Sequence, residues 1–395
     1  MGSLPLNNAE LESEPKLNSK IQNLPRINQL MKYGKYQTTL DEDDEDLSIT
    51  DQRSTIAADF DHSQGTSIED DLNTSKKFFH QHFFAIFVCM LSGLYTLMFI
   101  PSISKLLFYT KNSDNPIKAF TRYLDTLNHT IQWYNNPEER TKSLKTVRKL
   151  HAIAARQTLK RIREENCIVT ENGAVPMSQY DLVLTQWAFI GAILTRPDKI
   201  GLAGISKVQL KSISNQMYKV GRDLGISNTF NLCSGTLEDT IQYAKEIEKY
   251  VITPALECNE DFENMSVHLM NGVNILNPFI DQIAFSTWTH RLYCANKSYQ
   301  RRHEMLVSYK SYCIYYLQIF LFDYLLCSKV FKWIVTTSLN IMMDLNVYMA
   351  NLLRQEITKK YYPDHLPLPL HLWIYGILSY AKMRMLKLIR CQNIL

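Results

Sequence analysis

The chain has 395 residues, 46% hydrophobic and 11% aromatic, with only 13 glycines. That is enough apolar side chain for a large core, and strand-like alternation is hard to find, so an all-α fold is expected. The net charge of +4 hides an asymmetry: twelve acids and one base, Arg53, fall between residues 40 and 71, and the remainder holds 42 basic and 27 acidic residues, a net of +15. A basic body points to an anionic surface or ligand. No zinc-finger spacing or binding module accompanies it, so no nucleic-acid partner is expected. The eight cysteines are scattered without a CxxC pair and read as reduced packing residues.

Residues 1–75 read as a disordered acidic leader, because "LDEDDEDLSITDQ" has much charge and little to bury. Residues 76–110 hold "FFAIFVCMLSGLYTLMFI", an uncharged run at 83–100 that extends to Ser104. By length it can span a bilayer; Ser92, Gly93 and Pro101 also suit a buried helix of a large α domain. The main helical domain is expected over 111–310. Asn115 and Pro116 mark the start of its first helix, which carries "FTRYLDTLNHTIQWY". Arg122, Thr126, His129 and Trp133 share one face there, while Phe120, Leu124, Leu127 and Ile131 line another. A helix follows from about Thr141 to Glu165, with Arg148 and His151 one turn apart. A turn is expected at Asn172-Gly173. Ser178 and Asp181 then cap a helix without charge from Leu182 to Leu194, which reads as central and buried. Further helices are expected over Lys207–Leu224, Leu237–Val251 and Met265–Leu276. Residues 311–395 hold long apolar helices, expected to pack on the domain or on membrane.

Several chemistries are unsupported. No Glu-x-x-His occurs, so a di-iron carboxylate bundle has no ligands. Neither a glycine-rich phosphate loop, a GxSxG elbow nor an HExxH is present. A haem site needs an apolar helical cage, an inward histidine and basic groups for two propionates. His151 fits the histidine, as axial ligand to iron or as a distal group. Arg148, Arg122 and His129 fit the basic partners. Ordinary core packing of His151 accounts for the same pattern.

Four stretches, "FTRYLDTLNHTIQWY", "VRKLHA", "VPMSQYDLVLTQWAFIGAIL" and "LGISNTFNLC", occur in this order. Together they resemble the animal branch of the latex-clearing-protein family of rubber oxygenases, over roughly residues 78–310. The family also includes an endoplasmic-reticulum-bound oxygenase of mycophenolic acid biosynthesis. The resemblance implies a globin-like all-α core around haem b and cleavage of isoprenoid double bonds with molecular oxygen. It places the family's Arg-x-x-His/Lys pattern on Arg148 and His151, on the distal side. The opening "PMSQYD" matches the block where rubber oxygenases carry their proximal histidine. Gln179 stands there in this chain, and no histidine lies between His151 and His268. The axial ligand therefore falls to His151, or to His290 in "WTHRLY", or the branch has lost haem.

Two functions follow as expectations. One is a membrane-associated, haem-dependent oxygenase acting on an apolar, isoprenoid or other lipid substrate, at the endoplasmic-reticulum membrane, with Arg148 and His151 catalytic. The other is a haem-less helical membrane protein of the same fold that binds lipid or a partner.

Overall fold

The computed structural model describes residues 25–38, 68–111, 113–165, 174–258, 263–274, 280–293, 295–359, 374 and 377–383. Among them the chain is all-helical, with no strand beyond one isolated bridge between Thr38 and Ser178. In chain order the helices are α1 (Arg26–Tyr33), α2 (Ile68–Gln81), α3 (Phe83–Leu97), α4 (Pro101–Thr110), α5 (Pro116–Asn135) and α6 (Pro137–Glu165). Then come α7 (Gln179–Thr195), α8 (Lys207–Asp223), α9 (Leu237–Ile247), α10 (Thr253–Cys258) and α11 (Glu263–Asn274). The last are α12 (Gln282–Leu292), α13 (Asn296–Glu304), α14 (Tyr309–Ile319) and α15 (Lys332–Lys359). A π-helical turn, Glu248–Ile252, joins α9 to α10, and a second, Phe320–Leu325, extends α14.

The starts are set by local chemistry. Asn115 accepts from Lys118 N ahead of Pro116, and Ser178 and Asp181 close a reciprocal capping box on α7. Ser206 with Gln209 and Thr236 with Asp239 do the same for α8 and α9. Each cap satisfies amides that the helix cannot, worth roughly 1 kcal/mol. The helix α6 begins at Pro137 rather than Thr141, because Asn136 accepts from Glu139 N at 2.8 Å and Pro137 suits the first turn. Asn172-Gly173 lies outside the described residues.

The core forms where two apolar helices cross. The most extensive helix pair is α3 with α7. Its closest approach is at Gly93, where a Cβ would lie 2.1 Å from the Ala188 carbonyl oxygen. The uncharged run at 83–104 is therefore a core element. It is not one rod: α3 has 15 residues, and the chain turns at Met98–Ile100 before Pro101 starts α4. Fifteen residues rise about 22 Å, short of the roughly 30 Å of a bilayer core. Among the described residues no single helix is long and apolar enough to cross a membrane; α2 and α3 pass together only with an 85° bend between them.

Two expected boundaries dissolve. Within the 1–75 leader, α1 buries Ile27 and Leu30, and Arg26 lies over the Tyr243 ring at 4.1 Å. Arg26 also donates to the carbonyls of Asn231 and Ser234. The stripe Ile27, Leu30, Gly34 supplies the apolar contact that the acidic stretch lacks, and the acidic stretch itself lies outside the described residues. At the other end, Tyr315, Phe322 and Met343 belong to the same core as the 111–310 region.

Candidate ligand cavity and the predicted haem residues

The two faces expected of α5 do different work. Its apolar face, with Phe120, Leu124 and Leu127, walls a cavity of about 70 Å³ against α3, α11 and α15. Met90, Leu91 and Leu94 come from α3, and Met343, Val347 and Ala350 from α15. Gly272 lets the α11 backbone lie on α5, since a Cβ there would come within 2.7 Å of Phe120 N. Asn346 and Tyr123 are the residues of the wall that carry a polar side-chain group. The Tyr123 hydroxyl points to Met98 Sδ at 4.0 Å, and burial raises its pKa, so Tyr123 stays neutral. An engineered apolar cavity of about 150 Å³ holds benzene, and drug-sized sites run to about 300–1,000 Å³. The space here is about half that of the benzene cavity and takes only the end of a narrow apolar chain, with the rest of the chain outside it.

The polar face of α5 packs on α6. His129 Nδ1 pairs with Ser143 Oγ at 2.8 Å, and Trp133 Nε1 donates to the same oxygen at 3.1 Å. Further along the seam, Arg122 donates to Ser113 Oγ at 3.3 Å. His151 faces this guanidinium; burial first, and Arg122 second, push its pKa down to about 4. Its Nδ1 is buried with no hydrogen-bond partner. Arg148, half-buried, precedes it by one turn. The structure thus brings Arg122, Arg148 and His151 to one seam, with His129 farther along it, and places none of them in the cavity wall.

Gln179 and His290 lie elsewhere. The Gln179 amide donates to Gly225 O at 2.9 Å and Thr38 O at 3.3 Å and accepts from Ser227 N at 3.0 Å. It stitches the start of α7 to two loops. His290 is fully buried; its Nδ1 pairs with Ser298 Oγ at 2.6 Å and its Nε2 with the Tyr95 hydroxyl at 3.4 Å. Tyr95 and Phe99 pack edge-on against the ring. Burial, then Arg302, push its pKa down to about 2, so it is a neutral packing residue.

One network escaped the sequence reading. Gln186, two turns after Gln179, donates to Met217 O and Asn231 Oδ1 and accepts from Leu232 N, all within 3.0 Å. Two amides seven residues apart on an otherwise apolar helix were the signal: both face the 225–234 loop and satisfy its backbone. This explains "LGISNTFNLC" as a structural block tied to α7.

These residues do not fit haem b. Both ring nitrogens of His290 are hydrogen-bonded, the Gln179 side-chain oxygen accepts from Ser227 N, and His129 sits on Ser143 in the α5–α6 seam, away from the cavity wall. The cavity wall has no imidazole, and its volume is several-fold below that of a site for so large a ligand. His151 has a buried ring nitrogen to offer, but it faces the Arg122 guanidinium and not the cavity. Comparisons of the chain with family models, curated proteins and solved structures find no match.

Proposed function

We propose that this chain is a haem-free helical protein that binds an apolar lipid group at a membrane surface. The observation that carries the proposal is the cavity between α3, α5, α11 and α15. Its walls are hydrocarbon and aromatic, with Asn346 to orient one polar end. Small-molecule sites share this design: mostly apolar, with a few placed polar groups. The resemblance to rubber oxygenases, whose substrates are isoprenoid chains, supports an isoprenoid or acyl ligand. It also supplies the proposed location, the endoplasmic-reticulum membrane, which fractionation of cells carrying the tagged chain tests directly.

Native mass spectrometry after incubation with a long-chain isoprenoid alcohol or a fatty acid tests the binding. The wild type should retain one lipid. Ala350→Leu places three carbons into the cavity from a buried position and should reduce binding at least tenfold while helicity is kept. Equal lipid retention by wild type and variant would remove the cavity from consideration, as would a wild type that retains neither lipid.

A further inference from the structure

The segment from Met305 to Ile341 breaks the rule that a surface helix is polar outside. It carries 13 of the 25 exposed large hydrophobic residues found among the described residues. Along α14 and its π-helical extension, Tyr309, Tyr312, Tyr316, Phe320 and Tyr324 follow at spacings of three or four. They form one outward stripe. Tyr312 and Tyr316 have ring centroids 4.6 Å apart, and Phe320 stacks on Tyr324 at 6.0 Å. The opposite face is already used: Phe322 stacks on Trp288 at 4.8 Å, and Tyr315 bonds Tyr299 at 3.0 Å. The helix is therefore apolar on both sides, with one side exposed among the described residues. The turn after it continues the surface, where Val330 is 74% exposed and Trp333 75%.

Charge identifies what covers it. From 305 to 343 the only acid is Asp323. It is neutralised twice, by Arg291 at 2.8 Å and by Lys199 at 3.3 Å, and its side chain is turned inward. The remaining charges are Lys310, Lys329 and Lys332, and Lys310 and Lys329 are exposed. Tyrosine and tryptophan flanked by lysine, without a free acid, is the composition that seats at the headgroup level of a bilayer. A protein partner would be expected to meet a polar rim carrying both signs of charge.

We infer that the outer face of α14, its π-helical extension and the 326–334 turn form a monotopic docking surface for an anionic lipid membrane. The aromatic rings enter the interface, and Lys310 and Lys329 meet the headgroups. The inference rests on the membrane part of the proposed function and supplies its contact surface, which the buried helix α3 does not provide.

Sedimentation with phosphatidylcholine vesicles, with and without phosphatidylserine, tests it on the full chain. The phosphatidylserine vesicles should bind the wild type, and salt should weaken binding. The exposed-residue double variant F331S/W333S should keep the wild-type melting curve and lose about tenfold or more in partitioning. Trp133, Trp187 and Trp288 are buried. In a W373F background, quenching by acyl-brominated lipid therefore reports on Trp333 and should be strong. Vesicle binding without quenching, or undiminished binding by the double variant, would overturn the surface. So would a wild type that sediments with no vesicle but forms dimers that the double variant does not. Lipid retention in solution with no vesicle binding would sink this surface and leave the cavity standing. Vesicle binding through Trp333 with unaltered retention by Ala350→Leu would do the reverse.

Discussion

Replacing Gly93 by alanine should destabilise the whole domain, and the size of the loss follows from the α3–α7 crossing. The added Cβ would lie 2.1 Å from Ala188 O and 2.5 Å from Ala188 Cα. Both are backbone atoms, so no rotamer change relieves the clash and the helices must part by roughly 1 Å. Overpacking of this kind costs about 1–3 kcal/mol, and a backbone clash belongs at the upper end. Alanine returns about 1 kcal/mol through helix propensity. The net loss should be about 2 kcal/mol, a fall in Tm of roughly 2–3 °C for a chain of this size. Urea titration followed by circular dichroism measures it. Adding Ala188→Gly should give no rescue, because the clash is not with the alanine methyl. Rescue, or a Gly93→Ala variant as stable as wild type, would refute the crossing geometry. Met90, Leu91 and Leu94 share the same turns of α3 and line the cavity, so lipid retention should weaken with stability.

Three other outcomes are expected. His151 and His290 are held neutral in the folded state, at about 4 and about 2, against about 6.5 when unfolded. The unfolded chain therefore binds more protons below pH 6.5. Stability is fully present above that value and falls as pH drops from 6.5 to 4, with each histidine adding about 1.4 kcal/mol per pH unit to the slope; His151→Phe should remove about one proton from the slope measured by urea titration. Gln179→Ala leaves Ser227 N and two carbonyls without their partner and should cost about 2–3 kcal/mol, read by urea titration, while lipid retention per folded molecule stays unchanged. Purified protein reconstituted with haem b should show no specific Soret band; a stoichiometric band abolished by His151→Ala would refute the haem-free reading.

The helix starts were legible because caps are local: Asn115-Pro116 and Ser178 with Asp181 act within four residues. The two-faced character of α5 was legible too, since a period of 3.6 fixes which side chains share a face. What each face meets was not. That His129 pairs with Ser143, and that His151 faces Arg122, depends on how α5 and α6 pack. Residues 83–100 illustrate the limit most clearly. An uncharged run of that length describes a buried helix and a membrane helix equally well, and only its crossing partner α7 decides. The membrane-facing candidates at 307–334 were hidden for the converse reason. An apolar helix with one buried and one exposed side looks in sequence like a helix buried on both.

The docking of α1 anchors the chain at a second place ahead of α2. With α1 seated by Arg26 on one side and α2 packed on α8 on the other, the chain is held in place on both sides of its connection from Thr38 to Ile68. The entropy of closing a loop grows only with the logarithm of its length, about 0.6 kcal/mol for each doubling. Insertions, deletions and changes of composition between Thr38 and Ile68 should therefore be nearly neutral for folding, while single changes at Arg26 or Leu30 should not. A protease cut inside the loop would leave α1 in place, held by packing alone and exchangeable with an added peptide of the same sequence.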